Sequence, residues 1–140
     1  MRGLNKLYWL KIDIENINEE IAEIEREIKN LPTISSPQIT GMPHGTGVSN
    51  PIEKYYLKKS TLEEKLKQRQ GLLEEKKIKC VEEKNRLENI IERIDVPVIK
   101  TMATMRFINN KSWDAISNAT NYDRSVCYRK LKRYIEGMDL

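Results

Sequence analysis

The sequence predicts an all-α protein: a long antiparallel coiled-coil hairpin followed by a small three-helix helix-turn-helix domain. Three observations lead there. Leucine and isoleucine recur at alternating steps of three and four through two long stretches, which is a helical period and not a strand period. Charged residues make up 33% of the 140 and aromatics only 6%, which suits long helices better than a large globular core. From Val96 onward the long rhythm stops, and short apolar runs alternate with capping residues.

The first element rests on Leu7, Leu10, Ile14, Ile17, Ile21, Ile24, Ile28 and Leu31, with Glu, Asn, Lys and Arg between them. That heptad seam predicts a helix over about residues 3–31, roughly 40 Å long at ~1.5 Å per residue. A loop over residues 32–51 follows. It holds four of the five prolines, and its Gly41-Met42-Pro43-His44-Gly45-Thr46-Gly47 centre cannot be helical.

The second helix, about 52–94, has Asn50 as its expected N-cap and Pro51 at its first position. Ile52, Tyr55, Leu62, Leu66, Leu73, Cys80, Leu87, Ile90 and Ile94 form its seam, interrupted by Lys59, Arg69, Lys76 and Glu83. Gly71 can bend it without ending it. A charged rod of about 65 Å cannot stand alone, so it must pair. If the first helix covers only its first half, then Leu87, Ile90, Ile91 and Ile94 lack an internal partner. They are the expected oligomerisation residues, in a homodimer or a docking surface. Asp95-Val96-Pro97 breaks the pattern and divides the chain into a hairpin, 1–95, and a helix-turn-helix domain, 96–140.

In that second part Val98 to Ile108 reads as an apolar helix. Ser112 caps a short helix from Trp113 to Ala119, Thr120-Asn121-Tyr122 turns, and Asp123 caps a last helix from Arg124 to Glu136 that stops at Gly137. A short helix, a three-residue turn and a longer helix make the grammar of a helix-turn-helix. Trp113, Ile116 and Ala119 anchor the middle helix; Cys127, Leu131, Tyr134 and Met138 anchor the last. Ser125, Arg129, Lys132, Arg133 and Glu136 cluster on the opposite face.

Charge segregation gives this face its meaning. From Val96 to Leu140 there are eight cations (Lys100, Arg106, Lys111, Arg124, Arg129, Lys130, Lys132, Arg133) against Asp114, Asp123, Glu136 and Asp139. The first 95 residues hold 17 of each sign, so the net +4 of the chain sits entirely in the last part. A helix fits the DNA major groove, where arginine pairs with guanine and flanking cations meet phosphates. Double-stranded DNA is therefore the expected partner. Lys111, Ser112, Arg124, Ser125, Tyr128, Arg129, Lys130, Lys132 and Arg133 are the expected contacts, with Arg129 and Ser125 as base readers.

The rest of the inventory excludes much. One histidine, His44, and two cysteines, Cys80 and Cys127, supply neither a four-ligand zinc site nor a catalytic pair. The expectation is no enzyme, no metal and no cofactor. Residues 1–31 carry a charge every few positions, so neither a signal core nor a membrane span is expected, and the cytoplasm is the expected location.

On these residues the chain resembles the ArpU/RinA type of small phage-encoded activators of late transcription. Met105-Arg106-Phe107-Ile108-Asn109-Asn110-Lys111-Ser112-Trp113-Asp114-Ala115-Ile116 is similar to that family's R-Y-I…W-e-e-I-a run. Asn121-Tyr122-Asp123-Arg124-Ser125-Val126-Cys127-Tyr128-Arg129 is similar to its g-Y-S…v-y-r recognition helix, and to the promoter-reading unit of sigma factors. Ser36-Pro37 through Gly45 also looks like a feature of these proteins. Phe107 stands where the family has tyrosine and Asp123 where it has serine. The resemblance implies a phage or prophage regulator that binds a promoter region, with host RNA polymerase as a further partner. Two alternatives remain open at this stage: a small terminase subunit for DNA packaging, and a protein-binding adaptor or anti-repressor.

Overall fold

The computed structural model describes Met1, residues 3–32 and residues 51–140. The expectations for the proline- and glycine-rich loop, for His44 and for the Asn50 cap lie outside the described residues. All regular structure among those described is helical: α1 (Lys6–Lys29), α2 (Pro51–Glu92), α3 (Pro97–Ala103), α4 (Trp113–Thr120) and α5 (Arg124–Glu136). None of these helices is long and apolar enough to cross a membrane. The chain forms two compact units, Glu15–Glu74 on the one hand and Met1–Ile14 with Glu75–Leu140 on the other.

In the Glu15–Glu74 unit, segments of α1 and α2 meet along the three-four seam. Ile17, Leu62 and Leu73 are buried, and Ile21, Ile24, Ile28, Tyr55 and Leu66 are half-buried. Arg69 is the exposed interruption on the α2 seam, and it turns to Glu20 of α1 at 3.0 Å. Gly71 sits inside α2 without ending it.

In the other unit the same two helices run antiparallel. Lys76 meets Asp13 at 3.5 Å, and ten residues on along α2 the Arg86 guanidinium donates to the carbonyl of Gly3 at 2.7 Å, ten residues back in the chain. Gly3 has φ +87°, a backbone state that a side chain would strain. Arg86 is held for this job by the buried Glu83, whose carboxylate accepts from it at 2.7 Å. That hydrogen bond to Glu83 raises the Arg86 pKa further above its ordinary value, so the guanidinium stays charged.

One core joins these ends to the rest of the unit. Leu4 and Leu7 pack with Leu87, Ile91 and Ile94 of the α2 end, with Ile99, Met102, Ala103 and Phe107, and with Ile116, Cys127, Leu131 and Ile135. This corrects the expectation that Leu87, Ile90, Ile91 and Ile94 lack an internal partner. Leu87, Ile91 and Ile94 are 1%, 6% and 3% exposed, and Ile90 packs half-buried beside them. Their partners within the chain are α3, α5 and the start of the chain. The expectation laid α1 on the first half of α2 and left the α2 end without an internal partner, whereas the start of the chain and the short C-terminal helices cover that end.

The long α2 helix ends at Glu92, and Pro97 starts α3, where its missing N–H costs nothing. α3 is shorter than expected because its ladder widens into a π-helical turn over Thr104–Ile108, in which Asn109 N–H reaches the Thr104 carbonyl at 3.1 Å. This turn buries Phe107 and leaves Arg106 above the ring of Trp113, 4.8 Å from its centroid. Lys11 of α1 donates to the Ile108 carbonyl at 3.0 Å, satisfying one of the acceptors at the end of the turn.

Candidate nucleic-acid interface

The two elements that carry the expected site are fixed by local chemistry. Ser112 caps α4: its hydroxyl accepts from Ala115 N–H at 3.1 Å. α4 ends at Asn121, which takes the left-handed conformation at φ +60° and donates its N–H to the Ser117 carbonyl at 2.9 Å. Ser117 and Cys127 donate side-chain hydrogen bonds to the Tyr122 carbonyl. Asp123 occupies the N-cap position of α5 but makes no side-chain capping bond, and Gly137 ends the helix. Ala119, expected inside, is exposed; Thr120 takes the inner place, 3.4 Å from the Cys127 sulfur.

α5 divides cleanly. Cys127, Leu131 and Ile135 are buried, with Tyr134 and Met138 at the margin of the core. Ile135 was not among the expected anchors, although its four-residue step from Leu131 places it on that stripe. The Tyr134 hydroxyl donates to the Asp95 carboxylate at 2.7 Å and accepts from Asp95 N–H. The bond to Asp95 raises the phenol pKa above its ordinary value of 10.0. This clasp and the bond from Arg93 to the Asp139 carbonyl hold α5 to the segment after α2.

All nine expected contact residues are exposed, but they do not share one face. Ser125, Arg129, Lys132 and Arg133 lie within roughly 60° of Arg129 around the helix, with Lys130 and Tyr128 about 100° to either side. Arg124 lies about 140° away, and its guanidinium meets Asp114 of α4 at 3.4 Å. It braces the two helices and is off the Arg129 face. Tyr128 stands edge-on to Trp113, ring centroids 5.4 Å apart, and the Lys132 ammonium lies 5.8 Å from its ring centroid. The Arg106–Trp113–Tyr128–Lys132 ladder that results has a cation at each end. Lys132 is also 4.0 Å from Glu136, and Lys130 lies over the Tyr122 ring. Arg129, whose Nε donates to the Ser125 carbonyl, and Arg133 meet no carboxylate among the described residues.

Two residues at this surface were not among the expected contacts. Val126 lies about 60° from Arg129 and is half-buried in a groove of about 400 Å³ between α3 and α5, among Arg129, Lys130 and Arg133. The helical period alone would have placed it there, but a search for polar residues passes over it. Arg106 is the other, aimed by a π-turn that no residue pattern announces. Among the described residues no cluster of three or more His, Cys, Asp or Glu is placed to hold a metal ion. The chain matches no protein-family model, no curated protein and no solved structure.

Proposed function

We propose that this chain is a sequence-specific double-stranded DNA-binding transcriptional regulator. In this reading α4 and α5 form a helix-turn-helix, α1 and α2 a coiled-coil hairpin, and α5 enters the major groove. One observation carries the proposal: the exposed face of α5 presents Arg129 and Arg133 with no carboxylate partner among the described residues, and Lys130 and Lys132 at its flanks. Cations left unneutralised on a rigid helix are what an anionic polymer requires, and a helix has the width of the major groove. Arg129 and Ser125 specify in this reading, and Lys111, Lys130, Lys132 and Arg133 meet phosphates. The phage late-activator resemblance agrees with this assignment.

The hairpin is then the protein-contacting arm, for a second copy or for host RNA polymerase. Its exposed aromatic pair Tyr8 and Trp9, rather than the buried Leu87–Ile94 stripe, is where that contact falls, since Trp and Tyr are enriched in interface centres. The test of the function is a selection of bound fragments from a phage-bearing genome, followed by affinity measured against salt. Enrichment of promoter fragments, with log affinity falling linearly as log salt rises, is expected. Equal recovery of all fragments would reduce the protein to a non-specific binder, and no recovery at low salt would end the proposal.

A further inference from the structure

The groove beside α5 combines two chemistries that seldom lie together on a free surface. Its rim is Arg129, Lys130 and Arg133; its floor is Val126 and Ile99, with Tyr134 closing one end. Val126 precedes those three cations by three, four and seven residues, the spacings that put helical side chains side by side. A β-branched residue brings little helix propensity, and here Val126 is half-buried beside the groove and not sealed in the core. Ile99 behind it is buried, so the apolar floor is backed by the core and does not yield. Tyr128, the other apolar candidate on this helix, is already engaged with Trp113 and Lys132.

We infer that Val126 is a specificity-determining residue that packs on the C5-methyl of a thymine, next to the guanine read by Arg129. The inference rests on the duplex-binding reading above and names what that site selects: a T·A pair adjoining a G·C pair. The argument is one of complementarity. The thymine methyl is the only apolar group on the major-groove edges of the bases, and phosphates flank it on both sides. An apolar floor inside a cationic rim matches that arrangement. Arg129, one turn from Val126 and without an acidic partner among the described residues, spends its Nε on the Ser125 carbonyl and keeps its two terminal nitrogens for the O6 and N7 acceptors of guanine.

The experiment uses the whole chain and a site recovered from a library of randomised duplexes. Each thymine of that site is replaced in turn by deoxyuridine, which lacks only the methyl group. The expected result is one position at which the replacement weakens binding about fourfold, the worth of one buried methyl. Val126→Ala should bind thymine and uracil equally there, while Val126→Ile keeps the difference; helix content by circular dichroism checks that both variants fold. Uracil tolerated at every position, with Arg129→Ala still altering sequence preference, overturns the inference and leaves duplex reading intact. A protein that recovers no preferred duplex, yet binds a Glu/Phe-rich peptide through this groove, overturns both.

Discussion

The two compact units are built from the same pair of long helices, yet they bury their side chains differently. In the Glu15–Glu74 unit each helix has one inward stripe, only Ile17, Leu62 and Leu73 among its described residues are buried hydrophobics, and a polar link is the exposed pair Arg69–Glu20. In the unit of Met1–Ile14 and Glu75–Leu140 the same stripe continues, but α3, α4 and α5 enclose it, and Leu7, Leu87, Met102, Ile116, Cys127 and Leu131 lose essentially all contact with water. Two helices side by side leave half of each seam residue wet; a third and fourth layer removes the rest. Burial contributes roughly 25 cal/mol per Å², whereas an exposed ion pair contributes about 0–1 kcal/mol. The stability of this chain therefore resides mainly in the enclosed unit, which also holds the cationic face.

The strongest way to break that comparison is to separate what the enclosed unit joins. A fragment of residues 96–140 retains α3–α5 but loses Leu4, Leu7, Leu87, Ile91 and Ile94 from its core. We expect it to lack a cooperative thermal transition; a sharp one would show that the three short helices stand alone. Ile91→Asp should cost upwards of about 4 kcal/mol by burying a charge without a partner. Its loss of melting temperature should not vary with protein concentration, which separates a core residue from an interface residue. Next in size, Leu7→Ala should cost about 3–5 kcal/mol, because the surrounding layers cannot collapse onto the cavity. Ile17→Ala, between two helices free to close up, should lie nearer 2 kcal/mol; equal losses by chemical denaturation would erase the contrast between the units.

Smaller effects sharpen the reading of α5. Arg129→Ala should weaken binding to a selected duplex by about 1–3 kcal/mol and relax its sequence preference, as seen in competition with random DNA. Arg124→Ala, whose side chain is turned to Asp114, should leave the preference unchanged. The smallest effect concerns Tyr134. Because folding raises its pKa through the bond to Asp95, the bond's contribution is fully present below the unfolded value near 10 and fades as pH rises through the folded one. Unfolding midpoints of the native chain should therefore fall more steeply across that alkaline range than those of Tyr134→Phe.

Much of this was legible in the sequence, and the failures have physical causes. The three-four seam identified both long helices, since every seam residue from Leu7 to Leu31 is at least half-buried. Ser112 and Gly137 marked helix ends because capping is a local property, settled by neighbours in the chain. What was missed depends on partners distant in sequence. Whether Leu87, Ile91 and Ile94 face a neighbouring copy or this chain's own α3 and α5 cannot be read from their spacing, because a periodic stripe says only that something covers it. For Arg124 the helical period alone sets it about 140° from Arg129; what spacing does not show is its partner Asp114, ten residues back on another helix. The π-turn over Thr104–Ile108 escaped for a further reason, since one widened turn shifts the phase of the period without changing its composition.

Leu4 and Leu7 belong to a core whose remaining members come from residue 87 onward, and this has a consequence for the order of folding. During synthesis the first turns of α1 emerge well before anything they can pack against, and they remain unsatisfied while the whole Glu15–Glu74 unit is made. The entropic penalty of closing that span rises only slowly with its length, so the final assembly is affordable; its rate suffers more. If α1 and α2 zip together first, the intervening unit becomes a clamp that delivers Leu7 to Leu87 and turns a distant encounter into a local one. The sparsely buried helix pair would then matter less as a source of stability than as a guide that brings the two halves of the core together in time.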